Sequence, residues 1–177
     1  MKSLFSIHAG EFLVGDHIIR KRHAYEVWVP AKDSGVDLLV TRKDRRWRPV
    51  ALQAKFSRSF GLDALLGEQA LGWFSLQPAK IRSSTADIWV FVVVTWKHKE
   101  HYVLIPTAEL RKLVPRSSKS IWHLYLTIIK GKNGEYRCYQ TRGLKKAEKH
   151  ALADAPPQDK KRDLSQWLER WDLIDQE

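Results

Sequence analysis

Residues 88–96, Ile88-Trp89-Val90-Phe91-Val92-Val93-Val94-Thr95-Trp96, are apolar at nearly every position. A strand with one wet face alternates polar and apolar side chains. An unbroken β-branched and aromatic run suits a strand covered on both faces. Residues 101–105 are its expected neighbour, joined through the turn Lys97-His98-Lys99-Glu100. A chain of 177 residues is long enough to build the required layers around one real core.

Before this run the chain reads as a helix followed by short strands. Over residues 4–22, Leu4, Phe5, Ile7, Phe12, Val14, Ile18 and Ile19 share one broad helical face. Glu11 and Gly15 fall near its middle. A carboxylate there is costly unless satisfied, by a salt bridge, a cap or a functional partner. Residues 25–29, 36–41 and 49–56 read as strands of an antiparallel meander, with a loop over 30–35. Residues 62–77 read as a second helix with Leu62, Leu65, Leu66, Gln69, Trp73 and Phe74 inward; Glu68 and Gln69 lie on it.

After the apolar run, Thr107 is expected to cap a short helix with Leu110 and Leu113 inward. Residues 121–129 and 136–140 form a hairpin across Lys130-Gly131-Lys132-Asn133-Gly134, where Asn-Gly is the turn signal. The sequence therefore divides into a domain over 1–143 and a basic segment over 144–177. Residues 145–161 read as a linker or mobile arm, and 163–174 as a helix with Leu164, Trp167, Leu168 and Trp171 on one stripe. That helix either folds back on the core or meets another subunit.

The formal net charge is +11, which calls for an anionic partner, with nucleic acid ahead of an acidic membrane surface. No stretch approaches the roughly 18 apolar residues that spanning needs. Residues 1–10 lack a signal-peptide pattern. The single Cys138 excludes an internal disulfide and a cysteine zinc site, and suits a reducing cytoplasm. No P-loop, GxGxxG, HExxH, CxxC or GxSxG motif occurs.

One constellation carries chemistry. Side chains alternate along a strand, so Gln53 and Lys55 share one face, while Leu52, Ala54 and Phe56 take the other. With Asp37 on the partner strand, three polar groups converge, and the first helix would bring Glu11 to the same place. Two carboxylates, an amide oxygen and a backbone carbonyl are hard ligands suited to Mg²⁺ or Mn²⁺. Lys55 would then orient a water or stabilise a phosphorane-like transition state. The alternative is that these residues form ordinary polar pairs.

Glu11, then Gly35-Val36-Asp37-Leu38-Leu39-Val40, then Leu52-Gln53-Ala54-Lys55 resembles the PD-(D/E)XK nuclease superfamily, which includes restriction endonucleases and Holliday junction resolvases. The resemblance covers about residues 7–57. It implies an α/β (α+β) fold with a restriction-endonuclease-like mixed sheet flanked by helices in αβββαβ order. It also implies Glu11, Asp37 and Gln53 as metal ligands and Lys55 as the motif lysine. Gln53 stands where the family usually has an acid, which removes one negative charge.

A basic set accompanies this motif: Arg42, Lys43, Arg45, Arg46 and Arg48 around Trp47, with Arg58 at the end of the third strand. It would grip phosphates, although a solvated turn explains it equally well. Lys145, Lys146, Lys149, Lys160, Lys161 and Arg162 would form a basic arm. His98 and His101 read as solvent-exposed rather than metal-bound, and Trp89 and Trp96 as packing residues. The resulting expectation is a cytoplasmic, Mg²⁺-dependent DNA endonuclease, acting as a homodimer without a membrane. Its rivals are a catalytically inactive nucleic-acid-binding module of the same fold and a basic protein that meets an acidic partner.

Overall fold

A computed structural model describes residues 7–31, 35–44, 48–59, 69–115 and 120–175. Eight strands and four α-helices lie within them. They run α1 (Ala9–Lys21), β1 (Tyr25–Trp28), β2 (Leu38–Arg42), β3 (Val50–Arg58), β4 (Gln69–Leu76), α2 (Pro78–Arg82), β5 (Ile88–Val94), β6 (Glu100–Pro106), α3 (Thr107–Leu113), β7 (Trp122–Lys130), β8 (Tyr136–Gln140) and α4 (Lys146–Ala151). The result is a mixed α+β fold built on two sheets.

The larger sheet has the order β1-β2-β3-β5-β6. Its first three strands form the expected antiparallel meander. β3 and β5 run parallel, and β6 returns antiparallel to β5. A parallel pair needs a crossover, and here that crossover includes β4 and α2. β5 therefore lies inside the sheet with cover on both sides. Ile88, Val90 and Val92 join one core with Val14 and Ile18 of α1. Trp89, Phe91 and Val93 join a second core with β4 and β7. The apolar run is thus explained position by position.

The smaller sheet, β4-β7-β8, is antiparallel throughout. The hairpin between β7 and β8 turns through Gly134 at φ +84°, where the Asn-Gly pair announced it. This sheet packs closely on β5. A Cβ placed on Gly72 of β4 would lie 2.6 Å from Val93 Cγ2 and 2.8 Å from Phe74 Cε2. Only a glycine lets the two layers meet at that point.

Several expectations are corrected. Of the helix expected over 62–77, residues 62–68, including Glu68, lie outside the described residues; 69–76 are β4, and Trp73 faces solvent, 51% exposed. On α1, Gly10, Val14, Gly15 and Ile18 are buried, whereas Phe12 and Ile19 are more than half exposed, as is Ile7, which precedes the helix. The helix approaches the sheet through its glycines: a Cβ on Gly10 would meet Phe56 Cβ at 3.0 Å. Leu4 and Phe5 lie outside the described residues. Thr107 does not cap α3, whose N-cap is Pro106; its hydroxyl donates to the Ala86 carbonyl instead. Leu110 is fully buried as expected.

The C-terminal segment folds back on the core, but not as one helix. Residues Ser165–Trp167 and Trp171–Asp175 form short 3₁₀ turns. Backbone bridges tie Asp163 to Tyr139 and Leu168 to Val103. Leu164 enters the core between the sheets, and Trp171, Leu173 and Ile174 enter the core under α1. His17 of α1 stacks on Trp171 with ring centroids 4.2 Å apart. Within the expected linker, α4 forms and Leu152 packs on Ile129 and Tyr139. No described helix is long and apolar enough to cross a membrane.

Candidate functional site

β2 and β3 pair from Val40–Val50 to Leu38–Leu52. Asp37 adds one more ladder bond, donating its N–H to Leu52 O at 2.9 Å. There the strands part, and the Asp37 side chain takes over where backbone pairing stops. Its Oδ2 accepts the Ala54 N–H at 2.8 Å and the Gln53 side-chain amide. Lys55 Nζ stands 3.8 Å from the same oxygen and donates to Ala54 O at 3.0 Å. Its ammonium lies over Trp89, 5.5 Å from the ring centre. Asp37, Gln53 and Lys55 are thus brought together at the fork between two strands.

The fork is partly open to water. Gln53 is 7% exposed, while the Asp37 and Lys55 side chains keep 15% and 35%. The register explains this: Gln53 lies beside Trp89 and Lys55 beside Phe91, on the face that the smaller sheet covers. Among these three residues one carboxylate meets one ammonium, so they carry no net charge. A half-turn of the Gln53 amide exchanges its donor for its acceptor and would turn Oε1 toward a cation beside Asp37.

Glu11 is placed differently. It sits in the first turn of α1, and its Oε2 accepts the His8 N–H at 3.1 Å as half of a capping box. α1 packs on the face of β3 that carries Leu52 and Ala54, opposite to that of Gln53 and Lys55. The described contacts therefore bring three of the four expected site residues together and give Glu11 a capping role. No group of three or more His, Cys, Asp or Glu that could hold a metal occurs among the described residues.

Asp87 is a residue the sequence reading missed. It stands one position before β5, receives the Ala51 N–H at 2.8 Å and pairs with Arg48 at 2.7 Å. Asp37 and Asp87 thus clasp β3 from its two edges. The available signal was an acid just ahead of a wholly apolar strand, where its carboxylate can satisfy a neighbouring strand end. Trp89, read as a packing residue, is buried and also forms the wall under Lys55.

Neither a protein-family model, nor a curated protein, nor a solved structure matches this chain.

Of the basic set, Arg45, Arg46 and Trp47 lie outside the described residues. Arg42 pairs with Asp44 at 2.8 Å, Arg48 is engaged by Asp87, and Lys43 and Arg58 are exposed. His101 is not solvent-exposed as expected: it is 4% exposed and lies 4.9 Å from the Tyr136 ring. His98 is exposed at a turn with φ 58°, and Trp96 is 67% exposed at the strand end.

Proposed function

We propose that this chain is a metal-dependent endonuclease with a restriction-endonuclease-like core, acting on DNA at the fork between β2 and β3. The observation that carries this reading is the convergence of Asp37, Gln53 and Lys55 where the two strands separate. The antiparallel meander that leads into a parallel β3–β5 pair supports it, as does the net charge of +11.

The donor set fits a weakly held hard cation. Mg²⁺ is commonly held by one or two carboxylates, with waters and substrate phosphate filling the rest of its shell. Asp37 would supply the charged oxygen, and Gln53 and the Ala54 carbonyl neutral ones. When bound, such an ion lowers the pKa of a coordinated water and offsets charge on a phosphate. Lys55 would orient that water and stabilise negative charge developing on the phosphate oxygens. Trp89, whose ring lies under the Lys55 ammonium, would help to position it, and the surrounding basic residues would position the backbone. A second copy of the chain would address the other strand of a duplex.

The second reading is an inactive DNA-binding module of the same core. It is favoured by the balance of one carboxylate and one ammonium among Asp37, Gln53 and Lys55, and by a carboxylate already engaged by three donors. Incubating duplex and single-stranded DNA with Mg²⁺ or Mn²⁺ distinguishes the two. The nuclease reading expects cleavage that Lys55→Ala lowers by orders of magnitude, with affinity nearly unchanged. Salt-sensitive binding without cleavage under any divalent ion would establish the second.

A further inference from the structure

The smaller sheet has an inner and an outer face. Ala70, Phe74, Leu76, Leu124, Leu126 and Ile128 point inward. By alternation Trp73, Ser75, His123 and Tyr125 point outward. At one end this outer face is covered, where Leu152 packs on Ile129 and Tyr139. At the other end it is open, and Trp73 is 51% exposed.

That tryptophan is held rather than loose. Its indole N–H donates to His123 Nδ1 at 3.1 Å, and Ser75 Oγ lies 3.1 Å from the same nitrogen. Trp73 and Tyr125 are cross-strand partners, with rings 6.3 Å apart and inclined by only 24°. Two nearly parallel aromatic rings stand on neighbouring strands of one sheet, and the anchored indole leaves little side-chain entropy to be lost on stacking.

Charge lies alongside. Thr141 donates its N–H to Tyr125 O at 3.0 Å, which starts the chain after β8 beside Tyr125, one strand away from Trp73. That segment leads through Arg142, Lys145, Lys146 and Lys149, all exposed. Glu148 is turned back onto the Lys145 N–H as a helix cap.

We infer that the outer face of the smaller sheet binds single-stranded nucleic acid. Bases would stack on Trp73 and Tyr125, and the phosphate backbone would follow the basic segment from Arg142 to Lys149. A duplex buries its base faces in its own stack, so the exposed ring of Trp73, with the half-buried Tyr125 beside it, rewards a single strand. A protein partner fits less well, since interface cores deplete lysine. The inference does not depend on cleavage or on a metal.

The test is the binding of a fluorescein-labelled 20-nucleotide oligo-dT and of a duplex of the same length, in EDTA, over a salt series. EDTA stops any divalent-dependent cleavage, so failure here and failure of the nuclease reading are separate outcomes. Trp73→Ala should weaken oligo-dT binding about 5- to 150-fold while leaving its salt slope unchanged. Duplex binding should change much less. Lys145→Ala with Lys146→Ala should lower the single-strand salt slope by about 0.7 for each phosphate that is no longer neutralised. Trp73→Phe, which keeps an aromatic face, should recover most of the affinity and guards against a folding artefact. Oligo-dT affinity unchanged in Trp73→Ala, or equally reduced in Trp73→Phe, would overturn the inference.

Discussion

The fork at Asp37 and the outer face of the smaller sheet are opposite ways of building a candidate site. At the fork, polar groups are mostly buried and spent largely on one another: Asp37 holds Ala54, Gln53 and Lys55. On the outer face, Trp73 is exposed and its side chain is anchored through its indole N–H. Function at the fork is therefore tied to stability, because each group there also satisfies a neighbour. Function on the sheet face is separable, because a ring can be removed without leaving a buried donor unpaired. The contrast teaches where mutational effects on folding and on activity should coincide.

The largest expected effect follows from that difference. Asp37→Ala removes the acceptor of the Ala54 N–H and of the Gln53 amide, and a buried unsatisfied group costs about 1–3 kcal/mol. Chemical denaturation should show a loss of about 2–4 kcal/mol on that basis, whereas Trp73→Ala should stay within about 1 kcal/mol of the parent. Equal losses at the two sites would break the comparison. Gly72→Ala tests the contact between the smaller sheet and β5. With its Cβ 2.6 Å from Val93 Cγ2, it should destabilise by about 1–3 kcal/mol through overpacking. An unchanged midpoint would show that the two sheets have room to part.

A smaller, signed effect is expected at Gln53. Gln53→Glu places a second carboxylate beside Asp37, with which Lys55 already pairs. Without divalent ions the fold should lose stability. Added Mg²⁺ should restore it and raise the melting temperature more than in the parent. A variant destabilised equally with and without Mg²⁺ would count against a cation at the fork. The smallest effect belongs to Arg48→Ala. Its pair with Asp87 is 82% exposed on the arginine side, so the stability change should fall near about 0–0.5 kcal/mol. A loss well beyond 1 kcal/mol would mean that the clasp on β3 depends on that arginine.

The two regions also differ in how far the sequence revealed them. The meander, the covered β5 and the Asn-Gly hairpin were legible because their patterns follow from local geometry: alternation, an unbroken apolar run, a turn that needs positive φ. Asp37 with Gln53 and Lys55 was legible because a strand pair fixes which side chains share a face. Its bond to the Ala54 N–H was not, since that depends on where β2 and β3 diverge. Nor was the capping role of Glu11 decided, because helix facing alone left cap and ligand both open. β4 was hidden by its own wet face. Leu71 and Trp73 are apolar outward neighbours of Ala70, Gly72 and Phe74, so alternation vanished and helical spacing fitted instead. The C-terminal stripe of Leu164, Trp167, Leu168 and Trp171 likewise matched a helix, while the backbone at Asp163 and Leu168 is spent on bridges to β8 and β6. Burial pattern and backbone pairing are separate constraints, and only the first is written in residue spacing.

Mn²⁺ titration by isothermal calorimetry, comparing the parent with Asp37→Asn, tests the central claim most directly. Asparagine keeps an acceptor oxygen for the Ala54 N–H and removes the charge that a hard cation needs. The parent should bind Mn²⁺ with a saturable heat, and Asp37→Asn should lose that heat while its melting temperature stays close to that of the parent. The same isotherm in both proteins, or no binding to the parent, would contradict a metal site at the fork.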